Sequence, residues 1–314
     1  MFYRWNVNYA LPDELSFLPC VSVDAHNTLP GSVYPVGGAS EIPFSMMSII
    51  ENSGNRAFVN ASVEKILFEG GRATGVSIKG SNIYAPHIIS TIGLFETIQY
   101  LLPPSVVQRS CLQKHASRMQ PGQAVFYAFI TLEGTKEELK LDNATTWHFE
   151  YQDLGKTCKK WLKKGVEEAL QEPLPTLCVT TNSTKDPNWE MYPKHVGKST
   201  LAAFLPVNWE WFEEFESGFN GGQGPEYETM KKAFGNKIME KFLDLHPLLR
   251  GHVMHTEFHT PLDHVKHLRK HKGGMYGARM DMARFDDPGT CSAVVGFLSL
   301  SKKRKSSIFN SSSL

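Results

Sequence analysis

Three stretches constrain the fold more than any others: GQAVFYAFITLEG (Gly122–Gly134), TLCVTTNS (Thr176–Ser183) and STLAAFLP (Ser199–Pro206). Each is a short, strongly apolar run rich in aromatic and β-branched residues, the signature of a buried strand. Between the first two, KTCKKWLKKGVEEALQ (Lys156–Gln171) reads as an exposed amphipathic helix with charge on most of its circumference. YETMKKAFGNKIMEKFLDLHP reads as a longer helix, with Tyr227, Phe234, Ile238, Phe242 and Leu245 on one face. This part of the chain is therefore expected to be a mixed sheet with helices on one side.

The preceding region has another character. VYPVGGASEIPFSMMSIIENSG (Val33–Gly54) passes from a glycine turn into a helix starting at Ser40, with Ile42, Met46, Ile49 and Ile50 on one face. RAFVN, SVEKILFE, ATGVSIKG and NIYAPHIIS then read as successive strands, with EGGR (Glu69–Arg72) a tight turn. GLFETIQYLL (Gly93–Leu102) reads as a short helix closed by Pro103 and Pro104. The expectation is an α/β chain in four parts. Residues 1–30 are irregular, broken by Pro12, Pro19 and Pro30. Residues 31–105 form a small α/β module, 106–285 a larger domain with an α+β character, and 286–314 a disordered, basic and serine-rich tail.

Composition removes several functions. The 314 residues carry 33 basic and 32 acidic side chains, a net charge of +1, so no overall field recruits nucleic acid or anionic lipid. Five scattered cysteines form no CxxC pair and no disulfide framework. His255/His259 and His267/His271 have i,i+4 spacing. The first pair lies in a strand-like run and the second among Lys and Arg, so no metal is expected. GGAS around Ser40 is not a G-x-S-x-G elbow, and Ser40 reads as a helix N-cap. Neither G-x-x-x-x-G-K-[ST] nor G-x-G-x-x-G occurs anywhere. No run of apolar residues is long enough to span a bilayer, and no signal peptide is evident.

Taken together, the order Tyr34-Pro35-x-Gly37-Gly38, helix, VEKILFEGGRATGVSI and IISTIGLFETIQYLLP resembles the phytoene desaturase and amine oxidase group of flavoproteins, which includes carotenoid isomerase-like enzymes. Longer strings are similar to a retinoid-reducing branch of that group: YPVGGASEI, ATGVSIK, GTKEELKL, KDPNWE, WEWFEE and GGMYGARMD. The resemblance runs from about Gly31 to Arg284.

The resemblance implies a partial FAD-binding module followed by a substrate-binding domain. It implies FAD as cofactor, NAD(P)H as reductant, and retinol or a related polyene as substrate, one carbon–carbon double bond being saturated. It puts Tyr34, Pro35, Gly37 and Gly38 beside the isoalloxazine ring, where glycine permits close backbone approach. It puts Val63 at the adenine end, Ser90–Gly93 at the turn re-entering the nucleotide side, and Tyr276 and Gly277 on the substrate side of the ring. The aromatic residues Tyr127, Trp147, Trp209, Trp211 and Phe212 read equally as polyene pocket or packed core. No proton donor is singled out. The resemblance also implies an endoplasmic reticulum membrane location with peripheral contact. The N-terminal dinucleotide loop and the C-terminal flavin-capping segment of the group have no counterpart in the sequence, so weak FAD binding is expected. Two alternatives stay open: a non-catalytic chain that binds retinoid or a partner, and an isomerase or desaturase of another polyene.

Overall fold

In a computed structural model, residues 10–11, 13–110, 112–150, 153–217 and 224–285 are described. The tail expected to be disordered and the start of the irregular segment lie outside them. The contacts divide the chain into two units, residues 10–57 with Pro121–Phe285, and Phe58–Gln120.

The smaller unit is a three-stranded antiparallel meander, β1 (Val63–Glu69), β2 (Arg72–Ile78) and β3 (Ser81–Tyr84). Both connections are two-residue turns with positive φ throughout, Gly70-Gly71 at 57° and 78° and Lys79-Gly80 at 49° and 77°. That is the turn whose twist matches the strands it joins. Ile66, Ala73, Leu101, Leu102, Val107 and Leu112 form its core. The run RAFVN, expected as a strand, is not one; Asn60 sits at φ 55°, which ends any extended backbone there.

The larger unit is organised by β4 (Val125–Glu133). Its Phe126, Ala128, Ile130 and Leu132 are essentially fully buried, while Tyr127 and Phe129 point to the other face. With β5 (Thr145–Phe149), β6 (Thr176–Thr181), β7 (Lys198–Pro206) and β8 (Val253–His259) it forms a sheet of order β5-β6-β7-β4-β8. Every pairing is antiparallel, where a mixed sheet was expected. Residues 182–197 return the chain at the end of the sheet it has just left, which makes an antiparallel neighbour; a parallel one needs a crossover to the opposite end.

The long helix Pro225–Leu245 lays Tyr227, Phe234, Ile238 and Phe242 on one face of the sheet, as the spacing predicts. Lys156–Gln171, expected as one exposed helix, is two: Leu154–Leu162 and Val166–Gln171, broken before Gly165. Nor is it exposed throughout. Cys158 and Trp161 are buried, and the Trp161 indole N–H donates to the Ala169 carbonyl at 3.2 Å.

Part of the supposedly irregular start is helical: α1 (Phe17–His26) continues as a wider turn over Asn27–Gly31. Pro19 is tolerated because it lies in the first helical turn, where its missing N–H has no intrahelical acceptor. α2 (Glu41–Asn52) forms where expected, yet none of its side chains is buried.

At one edge of this unit, His148 on β5 and His246 after the long helix meet edge to face at 5.8 Å, and both Nε2 atoms are buried with no hydrogen-bond partner among the described residues. Burial lowers both pKa values, with Lys241 adding to the effect on His148 and His148 adding to that on His246. A folded pKa below the unfolded one means that the unfolded chain binds more protons as pH falls below about 6.5, so stability is lost there. The urea midpoint is expected to be lower at pH 5.5 than at pH 7.5, and His148→Phe should reduce that difference. An equal pH dependence in the variant would remove the pair from the explanation.

Candidate functional site

The sheet register builds one wall of the site. Trp147 pairs with Cys178, Cys178 with Phe204 and Phe204 with Tyr127, a row crossing β5, β6, β7 and β4 on the face opposite the long helix. The rings pack on one another, Trp147 edge-on to Phe204 at 5.8 Å and Tyr127 against Phe204 at 5.2 Å. Burial pushes the Cys178 thiol up to about 12, so at neutral pH it is an apolar filler and no nucleophile. The Tyr127 phenol is likewise raised by burial, with Tyr276 nearby adding to it, and stays neutral.

The turn at Tyr34–Gly38 supplies a second wall. Gly38 N–H donates to the Pro35 carbonyl at 2.9 Å, with Val36 and Gly37 between them and Gly37 at φ 85°. A positive φ at the third residue of such a turn is what glycine permits. Gly38, at φ 92°, then leads to a second turn closed by Glu41 N–H on its own carbonyl at 3.1 Å. A distant carboxylate holds the turn in place. Asp186, 4 % exposed, accepts the Gly37 N–H through Oδ2 at 3.1 Å and the Asn188 N–H through Oδ1 at 3.0 Å. Two of the strings singled out in the sequence, YPVGGASEI and KDPNWE, therefore meet through one hydrogen bond.

The segment Gly273–Gly277 forms the third wall. It is laced to the entry of β4: Met275 N–H donates to the Gln123 carbonyl at 2.9 Å, and Gly122 N–H donates to the Gly277 carbonyl at 2.6 Å. Tyr276 is held at φ 62°, a left-handed conformation that an aromatic residue adopts only when its surroundings impose it.

These walls border an open cavity of about 800 Å³ whose lining includes Tyr34, Trp147, Cys178, Phe204 and Tyr276. Its polar lining includes Asp24 and Asn27 from α1 and the turn after it, Thr145, and Lys185. Lys185 Nζ donates to Thr180 Oγ1 at 2.5 Å and to Thr145 Oγ1 at 3.2 Å, and burial lowers its pKa. Asp24 Oδ2 is buried with no hydrogen-bond partner among the described residues. The lining mixes aromatic rings with polar side chains, and a concave surface of that kind can receive a small molecule.

Of the residues expected in the site, Tyr34 and Tyr276 line this one cavity, 242 positions apart in sequence. Pro35, Gly37, Gly38 and Gly277 form the turns that carry them. Val63 and Gly93 belong to the smaller unit. Val63 pairs with Ile78 and packs on that core, and the Gly93 carbonyl accepts the Thr97 N–H at 3.0 Å at the start of a helix. Among the aromatic residues, Trp147 lines the cavity and Tyr127 packs beside it. Trp209, Trp211 and Phe212 are core on the other side of the sheet. Sequence reasoning missed Asp24, Lys185 and Asp186. Lys185 and Asp186 open the string KDPNWE, which was noted without a role, and Asp24 lies in the stretch expected to be irregular. Among the described residues, no group of three or more His, Cys, Asp or Glu is arranged to hold a metal, and no helix is long and apolar enough to cross a membrane.

No protein-family model matches the chain. Among curated proteins, an all-trans-retinol 13,14-reductase of Rattus norvegicus is 36 % identical over 259 residues, covering 81 % of this chain and 42 % of that protein. A chloroplastic prolycopene isomerase of Daucus carota is 24 % identical over 250 residues, covering 79 % of this chain and 36 % of that protein. Among solved structures, cyclohexylamine oxidase from Brevibacterium oxydans IH-35A superposes with a TM-score of 0.48 at 13 % identity, covering 91 % of this chain and 54 % of that one, a likeness too loose to argue from. The chain is thus similar to both curated proteins over about four-fifths of its own length, and more so to the reductase than to the isomerase. The chain spans about two-fifths of the length of the curated relatives it matches.

Proposed function

We propose that this chain carries the polyene site of a flavin-dependent reductase resembling retinol saturase, acting on a carbon–carbon double bond of all-trans-retinol to give the 13,14-dihydro product. The observation that supports this reading best is the convergence of Tyr34, Tyr276 and the Trp147–Phe204 row on one cavity. Retinol as substrate is carried by the resemblance and by the names of the relatives, while FAD as cofactor, NAD(P)H as reductant and an endoplasmic reticulum location rest on the resemblance alone.

The residues present fit part of such a cofactor. The glycine turn brings main chain to the cavity edge, where an added Cβ on Gly38 would meet only the Tyr34 hydroxyl, at 3.6 Å. That turn, Tyr34 and Tyr276 would hold a flat ring system. The pyrophosphate of FAD is not provided for: Lys185 is the single cation among the described lining residues, and the carboxylate of Asp24 lines the same cavity. When bound, a reduced flavin supplies hydride. This chain's own contribution is to bind and orient the polyene. Trp147 and Phe204 exclude water and offer ring faces, and the Asp186 bond keeps the Tyr34 turn in position.

That mismatch supports one alternative, a chain that binds retinoid without turning it over. The test is the visible spectrum of the purified chain after incubation with FAD and desalting, followed by retinol and NADPH. A retained band at roughly 450 nm, the flavin's own absorbance, with loss of the retinol chromophore supports the reductase. A colourless protein whose tryptophan fluorescence is quenched by retinol supports the binding role. A colourless protein that ignores retinol overturns both.

A further inference from the structure

β8 (Val253–His259) stands at one edge of the larger sheet, with β4 its single neighbour. Beyond that ladder, no main-chain group of β8 takes part in a hydrogen bond among the described residues. Met254, His255 and Glu257 are exposed along it. An open edge of this kind is a template for a further strand, and its side chains decide which strand it accepts. In antiparallel pairing only residues whose main chain points outward meet, so a strand paired with its own copy has its two-fold axis on a residue. With the axis at Thr256, His255 comes opposite Glu257 and Met254 opposite Phe258, each pair occurring twice. With the axis at Glu257, two glutamates face each other; at His255, two histidines do, and Val253 meets Glu257. An axis at Phe258 runs the pairing into the helix Pro261–Leu268, where the strand has ended. The segment is therefore self-complementary about Thr256.

We propose that β8 is a homodimer edge: two copies of this chain pair antiparallel along it about a two-fold axis at Thr256, joining their five-stranded sheets. Glu257 Oε1 lies 2.8 Å from His259 Nε2, which leaves Oε2 for His255 of the second copy. Met254 of the second copy brings a thioether to the Phe258 ring, a favourable contact for a polarisable sulfur. The β-bulge between Thr131 and Leu132 disturbs the strand just before His255. The regular edge is therefore short, and the dimer is expected to depend on concentration. The other outer strand, β5 (Thr145–Phe149), carries no such pairing: about its centre, Thr146 comes opposite His148. The dimer does not depend on what the cavity binds.

The test is sedimentation velocity of the whole chain over roughly 1–100 µM, the range suited to so small a contact. Monomer is expected at the low end and dimer at the high end. Glu257→Lys sets a lysine against His255 and should raise the dimer Kd about tenfold, while the charge-swapped double variant His255→Glu, Glu257→Lys should restore it. A cysteine pair tests the register without touching these charges. Thr256→Cys places two thiols at the axis, within disulfide reach, so mild oxidation should link the two copies. Met254→Cys places them about 14 Å apart, four strand residues, and should not. Both variants carry the same native cysteines, so the difference between them is the readout. A chain that stays monomeric throughout overturns the proposal, as does a dimer indifferent to Glu257→Lys when circular dichroism shows that variant folded. Equal cross-linking of the two cysteine variants, or of neither, overturns it as well, and points to another covering of this edge.

Discussion

Replacing Gly122 by alanine is expected to cost about 3 kcal/mol of stability, the upper part of the range for forcing atoms into a filled space, and to dismantle the cavity. A Cβ at Gly122 would fall 2.0 Å from the Met275 carbonyl oxygen and 2.7 Å from that of Gly277. Both are main-chain atoms, so no side chain can swing away. The only relief is to push the 273–277 segment off the entry of β4. That breaks the bond from Gly122 N–H to Gly277 and releases Tyr276 from its left-handed conformation. A urea titration of Gly122→Ala would therefore show a lower midpoint, and tryptophan quenching by retinol would weaken with it. Gly165→Ala is the control. Nothing lies within 4 Å of its added Cβ, and as a helix N-cap it should change stability by less than about 1 kcal/mol. Similar midpoints for the two variants would refute the account of this close approach.

Truncating Phe126 to alanine is expected to cost about 4 kcal/mol, the range found when a fully buried aromatic is removed and the core cannot close over the gap. Phe126 is 0 % exposed on a strand with neighbours on both sides, and its ring packs against those of Phe234 at 5.8 Å, Phe258 at 6.3 Å and Phe212 at 6.5 Å. Those partners come from the long helix, from β8 and from the short helix Glu210–Glu213, so no single element can move in to fill the space. Phe129, three residues on, points to the opposite face and is 41 % exposed. Phe129→Ala should cost about 1 kcal/mol or less. The two measurements together test the period-two reading of β4 directly. A larger loss at Phe129 than at Phe126 would reverse the assignment of faces.

How much was legible can be judged from particular elements. The strands GQAVFYAFITLEG, TLCVTTNS and STLAAFLP were legible because each is a short apolar run of aromatic and β-branched residues, and the long helix because its apolar positions share one face. The turn at Gly70-Gly71 was legible because two adjacent glycines between alternating runs meet the backbone demand of a tight hairpin. α1 was not, because proline was read as a breaker without regard to its place in the first turn. The antiparallel order of the larger sheet was not, since strand direction depends on where loops return. In the site, Tyr34 and Tyr276 were reached through the strings around them. Asp24 and Lys185 were not, since a lone aspartate in a stretch read as irregular and a lysine in a single 3-10 turn have no local pattern to mark them.

The sequence by itself determined which segments are strands or helices, where glycine is needed for a turn, and which family strings the chain shares. Those properties reside in a few consecutive residues, through side-chain size, φ preference and the alternation of apolar positions. Only the tertiary structure decided that residues 10–57 cluster with Pro121–Phe285, that Trp147, Cys178, Phe204 and Tyr127 stand in one row, and that Asp186 holds a turn 149 residues away. Such contacts come from strand register and loop closure. Their energy depends on pairs of residues far apart in the chain, and no local pattern records which distant partner a group will meet.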